Sequence, residues 1–454
     1  MSVSSTTDPF TMVPTSERWI TEVPSQWDMR RLKTLFRERS VKGYPDLPLL
    51  AATQAKGVVT KETYGLRTVI AQSGLENLKL VEPGDFVISL RSFEGGIEVS
   101  HARGIISPAY TVLRIQDQSL HGYFVRLFKS RYFLDAIRLS VTGIREGQNV
   151  DYARLGRSLV TVPTPASCRA IVRYLDHAEL RIAKAIAAKQ DVVRLLKEQK
   201  AVVESRALFG GGWTTGVEKW FGEVPAGWEV LPSRALFAER IERNHGDLEM
   251  LSVTMARGVV RQSSYLKSDG SKKDQAREDR SQYKAVEPDD LVYNKMRAWQ
   301  GAAGKSEFRG IVSPAYVVLR PLSGANSDYY GMMLRSRQFA REAERHSYGI
   351  TSDMWSLRPQ HFKLIEFPSP PLAEQAAIVN LCKAQTEKID LAIEAIEAEI
   401  TLLKEYRTRL ISDVVTGKLD VRDEAAKLSD IDPMELATVA VDENGDEEEA
   451  TDDD

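Results

Sequence analysis

The chain repeats itself. Residues Trp19-Ile20-Thr21-Glu22-Val23-Pro24-Ser25-Gln26-Trp27 return as Trp220-Phe221-Gly222-Glu223-Val224-Pro225-Ala226-Gly227-Trp228, an offset of 201 that holds without a gap for over forty residues. Leu35-Phe36 matches Leu236-Phe237, and Gly57-Val58-Val59 matches Gly258-Val259-Val260. The offset then grows to 205, where Val81-Glu82-Pro83-Gly84-Asp85 meets Val286-Glu287-Pro288-Asp289-Asp290. At 206, Arg103-Gly104-Ile105-Ile106-Ser107-Pro108-Ala109-Tyr110 answers Arg309-Gly310-Ile311-Val312-Ser313-Pro314-Ala315-Tyr316. Finally Leu195-Leu196-Lys197-Glu198 answers Leu402-Leu403-Lys404-Glu405 at 207. Self-similarity over about 200 residues means that one folding unit has been duplicated, so the second half must take the fold of the first.

Each half changes texture once. Residues 17–165 and 213–370 are rich in Gly, Pro, Tyr and Trp, with short β-prone runs after turn residues. Phe86–Leu90, Tyr110–Arg114 and Leu291–Tyr293 read as strands, and Tyr123–Ala136 and Tyr329–Glu344 as helices, which makes each half an α+β globule. A long helix follows in each case. In the C-terminal copy Ile389, Ile393, Ile396, Ile400, Leu403 and Leu410 fall at steps of 4, 3, 4, 3 and 7. In the central copy Ile182, Ile186, Val193, Leu196 and Val203 hold the same heptad, with Lys189 and Lys200 at its two remaining seam positions. Sustained a/d spacing, free of Gly and Pro, predicts that the two helices pair as a coiled coil. The domain expectation is a disordered leader (1–16), a first globule (17–165), a central helical spacer (166–212), a second globule (213–370), a C-terminal helical spacer (371–422) and a disordered acidic tail (423–454).

Charge divides unevenly along this plan. The net charge is −3, but the last 32 residues hold 14 of the 64 Asp/Glu and one of the 61 Lys/Arg. The remaining body therefore carries 60 basic residues against 50 acidic ones, a pattern that suits nucleic-acid binding and equally suits an ordinary body with a solubilising tail. Two isolated cysteines, Cys168 and Cys382, offer neither a disulfide framework nor a zinc cluster. The Ser/Thr-rich first 16 residues lack the basic and apolar regions of a secretory signal, and no apolar run reaches the ~20 residues of a membrane span, so a reduced, cytoplasmic, soluble protein is expected.

Catalytic constellations are missing. Ser369-Pro370-Pro371-Leu372 has Leu where an amino-methylating loop needs an aromatic, Pro45-Asp46 and Pro288-Asp289 have no Glu-x-Lys partner for a nuclease, and Glu198-Gln199-Lys200 lies inside the heptads. Gly301-Ala302-Ala303-Gly304-Lys305-Ser306 fails as a phosphate loop because position 299 is Trp. The six His have no metal-ligand spacing, so no metal and no cofactor is expected. The residues read as a binding protein.

Trp-x2-Glu-Val-Pro-x2-Trp opens each globule, and Pro368-Ser369-Pro370-Pro371-Leu372-Ala373-Glu374-Gln375 leads into the last helix. That helix ends in Leu402-Leu403-Lys404-Glu405-Tyr406-Arg407-Thr408-Arg409-Leu410-Ile411-Ser412-Asp413-Val414-Val415-Thr416-Gly417-Lys418-Leu419-Asp420-Val421-Arg422, the most specific of these strings. With them, two globules each followed by a long helix resemble the specificity subunit of Type I restriction–modification systems. The first half departs from it, with Pro165-Ala166-Ser167-Cys168-Arg169-Ala170 in place of Pro-Leu-x-Glu-Gln, and the acidic tail is additional.

The resemblance implies a non-catalytic subunit whose two target-recognition domains each read half of a bipartite, asymmetric site in double-stranded DNA. It implies two adenine-N6 methyltransferase subunits and separate restriction/translocase subunits as partners. A helix over about 172–205 would span ~50 Å, and two such helices packed antiparallel would serve as a spacer between half-sites. Polar loop residues are the candidates for DNA contact: Arg91 and Ser92, with Arg145, Gln148 and Asn149, in the first globule, and Lys295, Arg297, Trp299 and Gln300 in the second. Arg and Gln pair bidentately with guanine and adenine edges, and loop residues equally bond their own backbone. The polar insertion of the second globule adds Lys272, Lys273, Arg277 and Arg280, either following phosphates or forming a plain solvated loop. The alternative function is a coiled-coil scaffold with two protein-binding globules.

Overall fold

The computed structural model describes residues 11–54, 56–64, 74–90, 92–142, 149–209, 219–255, 257–264, 280–349 and 354–431. The chain divides into two compact units, one formed by 1–190 with 397–454 and the other by 191–396. Each unit thus takes a whole globule and a stretch of both long helices.

In the first unit a four-stranded antiparallel sheet runs in the order Phe36–Arg39, Thr111–Ile115, Phe86–Ile88, Glu98–Val99. The second unit repeats that order with Phe237–Arg240, Tyr316–Pro321, Leu291–Asn294 and Ala303–Lys305. A hairpin accompanies each sheet, Leu50–Thr53 with Gly57–Thr60 and Leu251–Thr254 with Gly258–Arg261. Its turn needs glycine. Gly57 and Gly258 sit at φ +69° and +68°, and a Cβ on Gly57 would stand 2.7 Å from the Val99 carbonyl oxygen. A further ladder joins the start of each globule to its end, Asp28–Arg31 with Leu159–Val162 and Glu229–Pro232 with Glu366–Ser369. The long helix therefore leaves each globule beside the strand where the globule began.

Aromatic side chains fill both cores. Phe36, Phe86, Phe124, Phe128 and Phe133 are buried in the first unit, and Phe237, Tyr293, Tyr330, Phe339, Phe362 and Phe367 in the second. Full burial of each such ring contributes about 1.5–3 kcal/mol, with edge-on pairs such as Phe36 and Phe124, 5.0 Å apart, adding to it. The single helices expected over 123–136 and 329–344 are each two helices: His121–Leu127 and Arg131–Leu139, Ser327–Leu334 and Arg337–Arg345. The break has one cause in both copies. Ser130 and Ser336 are extended, and their hydroxyls accept from the N–H of Phe133 and Phe339 to cap the second helix.

The central helix covers Pro165–Phe209, 45 residues, and starts earlier than the heptads alone suggested. Thr164 caps it in place of the missing Pro-Leu-x-Glu-Gln, its hydroxyl accepting from Ser167 N–H at 3.2 Å, with Pro165 at the first helical position. The C-terminal helix covers Leu372–Val415. The two pair antiparallel in each unit. In the first, Lys189 pairs with Glu399, and Ile182 and Ile186 share a core with Ile400, Leu403 and Leu410. In the second, Lys200 donates to Asp390 at 2.6 Å.

Two boundaries differ from expectation. Met12–Pro14, inside the expected leader, is a strand paired with Glu22–Pro24. Past residue 422 the chain continues as a short helix, Arg422–Ala426, with Val421 and Ala425 buried, and Asp430 pairs with Arg173 while the Ser429 carbonyl meets His177 Nε2 at 2.7 Å. Residues 1–10 and 432–454 lie outside the described residues.

Candidate nucleic-acid interface

Both sheets carry the same internal bracing. Arg39 pairs with Asp85 at 3.0 Å and Arg240 with Asp290 at 2.7 Å, both pairs largely buried. Buried Lys79 donates to the Tyr110 carbonyl at 2.7 Å, and Lys284 to that of Tyr316 at 2.9 Å. These bonds hold the Ser-Pro-Ala-Tyr turn against the sheet in both copies, which explains its repetition between halves whose other loops have diverged.

The loop after the strand Leu291–Asn294 is the best-defined candidate surface. Asn294 Oδ1 accepts from Met296 N–H at 2.9 Å and bends the chain outward, and the short turn Ala298–Gln300 closes at Gly301 with φ +90°. Lys295 and Arg297 are half-buried and Gln300 is exposed. Trp299 donates its indole N–H to the Met296 carbonyl at 2.8 Å, and its ring meets Trp355 edge-on at 5.5 Å. The second loop is tied to the first by its backbone, since Leu357 N–H donates to the Lys295 carbonyl at 2.8 Å and Tyr348 bridges Ser356. Two loops more than fifty residues apart thus form one surface.

Behind the loop, burial holds the Lys284 amine below the usual lysine range; the charge of Glu239 opposes this, and those of Lys295 and Arg243 add to it.

The other candidates fare differently. Ser92 is a correction: it is 2 % exposed and its hydroxyl accepts from Ser89 N–H at 2.8 Å, so it shapes a turn and presents nothing to a ligand. Asn149 lies in a two-stranded ladder opposite Thr142. Arg280 is half-buried, and its carbonyl accepts from Tyr283 N–H at 3.1 Å. Arg91, Arg145, Gln148, Lys272, Lys273 and Arg277 lie outside the described residues. On the helices Ile182, Ile186, Val193, Ile393 and Leu410 are buried, and Leu196, Val203, Ile389, Ile396, Ile400 and Leu403 half-buried. Sequence reasoning missed Met296, Met354 and Trp355. The Met-Trp pair in an otherwise polar loop was the available signal.

The motifs that carry the resemblance are structural joints. Gly417, at φ +73°, lies so close to the first globule that a Cβ would stand 2.4 Å from Pro24 Cγ and 3.0 Å from the Trp27 ring. Tyr123, beside Trp27, donates to the Val415 carbonyl at 2.8 Å. Gln375 is fully buried and donates to the carbonyls of Gly324 and Pro370 while accepting from Asn326 N–H. Among the described residues no group of three His, Cys, Asp or Glu is placed to hold a metal ion, and no helix is long and apolar enough to cross a membrane.

Two copies of one α+β globule, each continuing into a long helix, define a tandemly duplicated α+β protein. The chain is similar in sequence to a Type I restriction enzyme specificity subunit and in fold to a chain of a type I R-M system. It is 25 % identical over 139 residues to the Type I restriction enzyme EcoKI specificity subunit of Escherichia coli (strain K12), a match spanning 30 % of each chain. The fold is similar to that of a chain solved in work on complex assembly and conformational transition of the type I R-M system, with TM-score 0.57, 14 % identity, and coverage of 87 % of this chain and 99 % of that one. The S subunit of Thermoanaerobacter tengcongensis aligns over 87 % of this chain and 98 % of its own at 15 % identity and TM-score 0.38. No family model matches.

Proposed function

We propose that this chain is the DNA sequence-specificity subunit of a Type I restriction–modification complex. Each globule reads one half of a bipartite site, and the paired helices set the unspecified gap and dock two methyltransferase subunits, which restriction/translocase subunits join. The chain itself catalyses nothing. The duplicated architecture supports this reading most directly, because two heads of one fold with different loops suit two half-sites of different sequence. Two pseudo-equivalent surfaces also suit two copies of one partner. Lys295 and Arg297 of the 295–300 loop suit phosphate, and Arg297 and Gln300 suit base edges.

Co-expression with the methyltransferase partner, followed by mapping of N6-methyladenine across the host genome, tests the proposal. The expected result is an asymmetric, two-part motif with a fixed gap. A continuous palindrome would overturn it. Sequence-selective duplex binding that weakens steeply with salt separates this role from a protein-binding scaffold.

A further inference from the structure

The two tied loops of the second unit expose more apolar surface than a polar loop needs. Met296, Met354 and Tyr348 are 39 %, 52 % and 58 % exposed, with Trp299 and Trp355 half-buried among them. Exposed apolar clusters rimmed by charge mark contact surfaces. The rim here is Lys295 and Arg297. Trp299 has already given its N–H to the Met296 carbonyl, so its ring offers carbon to a ligand and no donor. The thioethers of Met296 and Met354 are unbranched and polarizable, and adapt to small apolar groups. In the major groove of DNA the apolar group on a natural base edge is the C5-methyl of thymine.

We infer that this patch selects thymine in the half-site read by the second globule, an inference that rests on the DNA-reading role proposed above. The backbone tie between Leu357 and Lys295 fixes the two loops to one another, so the methyl meets a preformed surface. The first globule lacks this device: residues 89–95 and 142–151, which hold the matching loops, contain no Met and no Trp. Thymine-methyl reading of this kind therefore belongs to one half-site.

The test uses the full chain purified with its methyltransferase partner and unmethylated duplexes of the mapped motif. The half-site that changes when residues 213–370 are exchanged for those of a relative is the one the second globule reads. Replacing its thymines with uracil, one at a time, removes only the methyl. Binding should weaken about four-fold at each contacted thymine, the factor equivalent to one buried methyl or methylene group, and uracil in the other half-site should change nothing. The variant carrying M296A and M354A should bind thymine and uracil duplexes equally, and because both side chains are exposed its fold is not at risk.

Sequence-selective binding that is indifferent to uracil in that half-site, or a half-site without thymine, overturns the inference and leaves DNA reading intact. A complex with no sequence selectivity overturns the reading itself. If the double variant loses its protein partner while its base selectivity is unchanged, the patch is a protein-docking surface and the inference fails.

Discussion

Glu98 is a carboxylate placed where water does not reach it. It is 3 % exposed, at the edge of the first sheet, and pairs with Lys129, which also donates to the carbonyls of Gln54 and Gly95. Burial pushes its carboxyl up to about 7 from an ordinary 4.5, against the pull of Lys129. A folded-state pKa above the unfolded one means that the folded protein holds this proton longer. The contribution to stability is then full below pH 4.5 and is lost as pH rises through 7. Glu98→Gln cannot ionise. Its stability relative to wild type should climb between pH 4.5 and 8, by up to about 3 kcal/mol, measured by denaturant unfolding at each pH. A constant difference across that range would show that Lys129 keeps the carboxylate charged throughout. The same scale explains why the most repeated residues are not the candidate loop residues. Gly417 and Pro24 are legible as motifs because close packing leaves them no freedom, whereas the Met354 side chain is 52 % exposed.

The long helices were readable because a heptad reports burial directly. Every third or fourth residue from Ile389 to Leu410 that the spacing selects is buried or half-buried, and the residues between are mostly exposed. Lys189 and Lys200 occupy the polar positions of that seam and reach across it to Glu399 and Asp390, pairs that at the surface contribute about 0–1 kcal/mol each. What the spacing could not give was where elements stop. Ser130, Ser336 and Thr164 decide that through single side-chain bonds, and a hydroxyl at a cap has the same letter as one in a loop. The loop surface was half legible for a similar reason: Lys295, Arg297, Trp299 and Gln300 stand in one run, but Trp355 joins them only in the folded chain, through its ring contact with Trp299 and the backbone bond from Leu357 to Lys295. Around Lys200 the seam is polar and part-exposed, Lys200 and Asp390 keeping 31 % and 42 % of their side chains in solvent, so length is best changed there. Inserting four residues after Gln199 adds about one turn, ~6 Å, close to the rise of two base pairs. The expected methylome keeps both half-sites and lengthens the gap by one or two base pairs. Activity with an unchanged gap would show that the helices are not the ruler.

Taken whole, the molecule is two copies of one plan that have kept their bracing and changed their loops. Exchanging residues 17–165 for those of a relative should therefore alter one half-site and leave the other, read from the methylated motif of the hybrid. The exchange succeeds if the incoming globule brings the Pro24, Trp27 and Tyr123 equivalents that receive the end of the C-terminal helix. Simultaneous change of both half-sites would mean the heads do not read independently. The same joint governs how the chain is made. Tyr123 and the Val415 carbonyl that it bonds are 292 residues apart. At ~5–20 residues per second a ribosome needs about 15–60 s to deliver the second after the first. The second unit draws on one continuous stretch, 191–396, and is complete before the last strip of the first unit's core exists. The first-synthesised globule is therefore the last to be finished, and a nascent chain released early carries an open apolar seam where Val414 and Val415 belong. Chains ended between the first globule and Val414 should therefore be cut faster in limited proteolysis than the full chain, because part of the first unit's core stays uncovered.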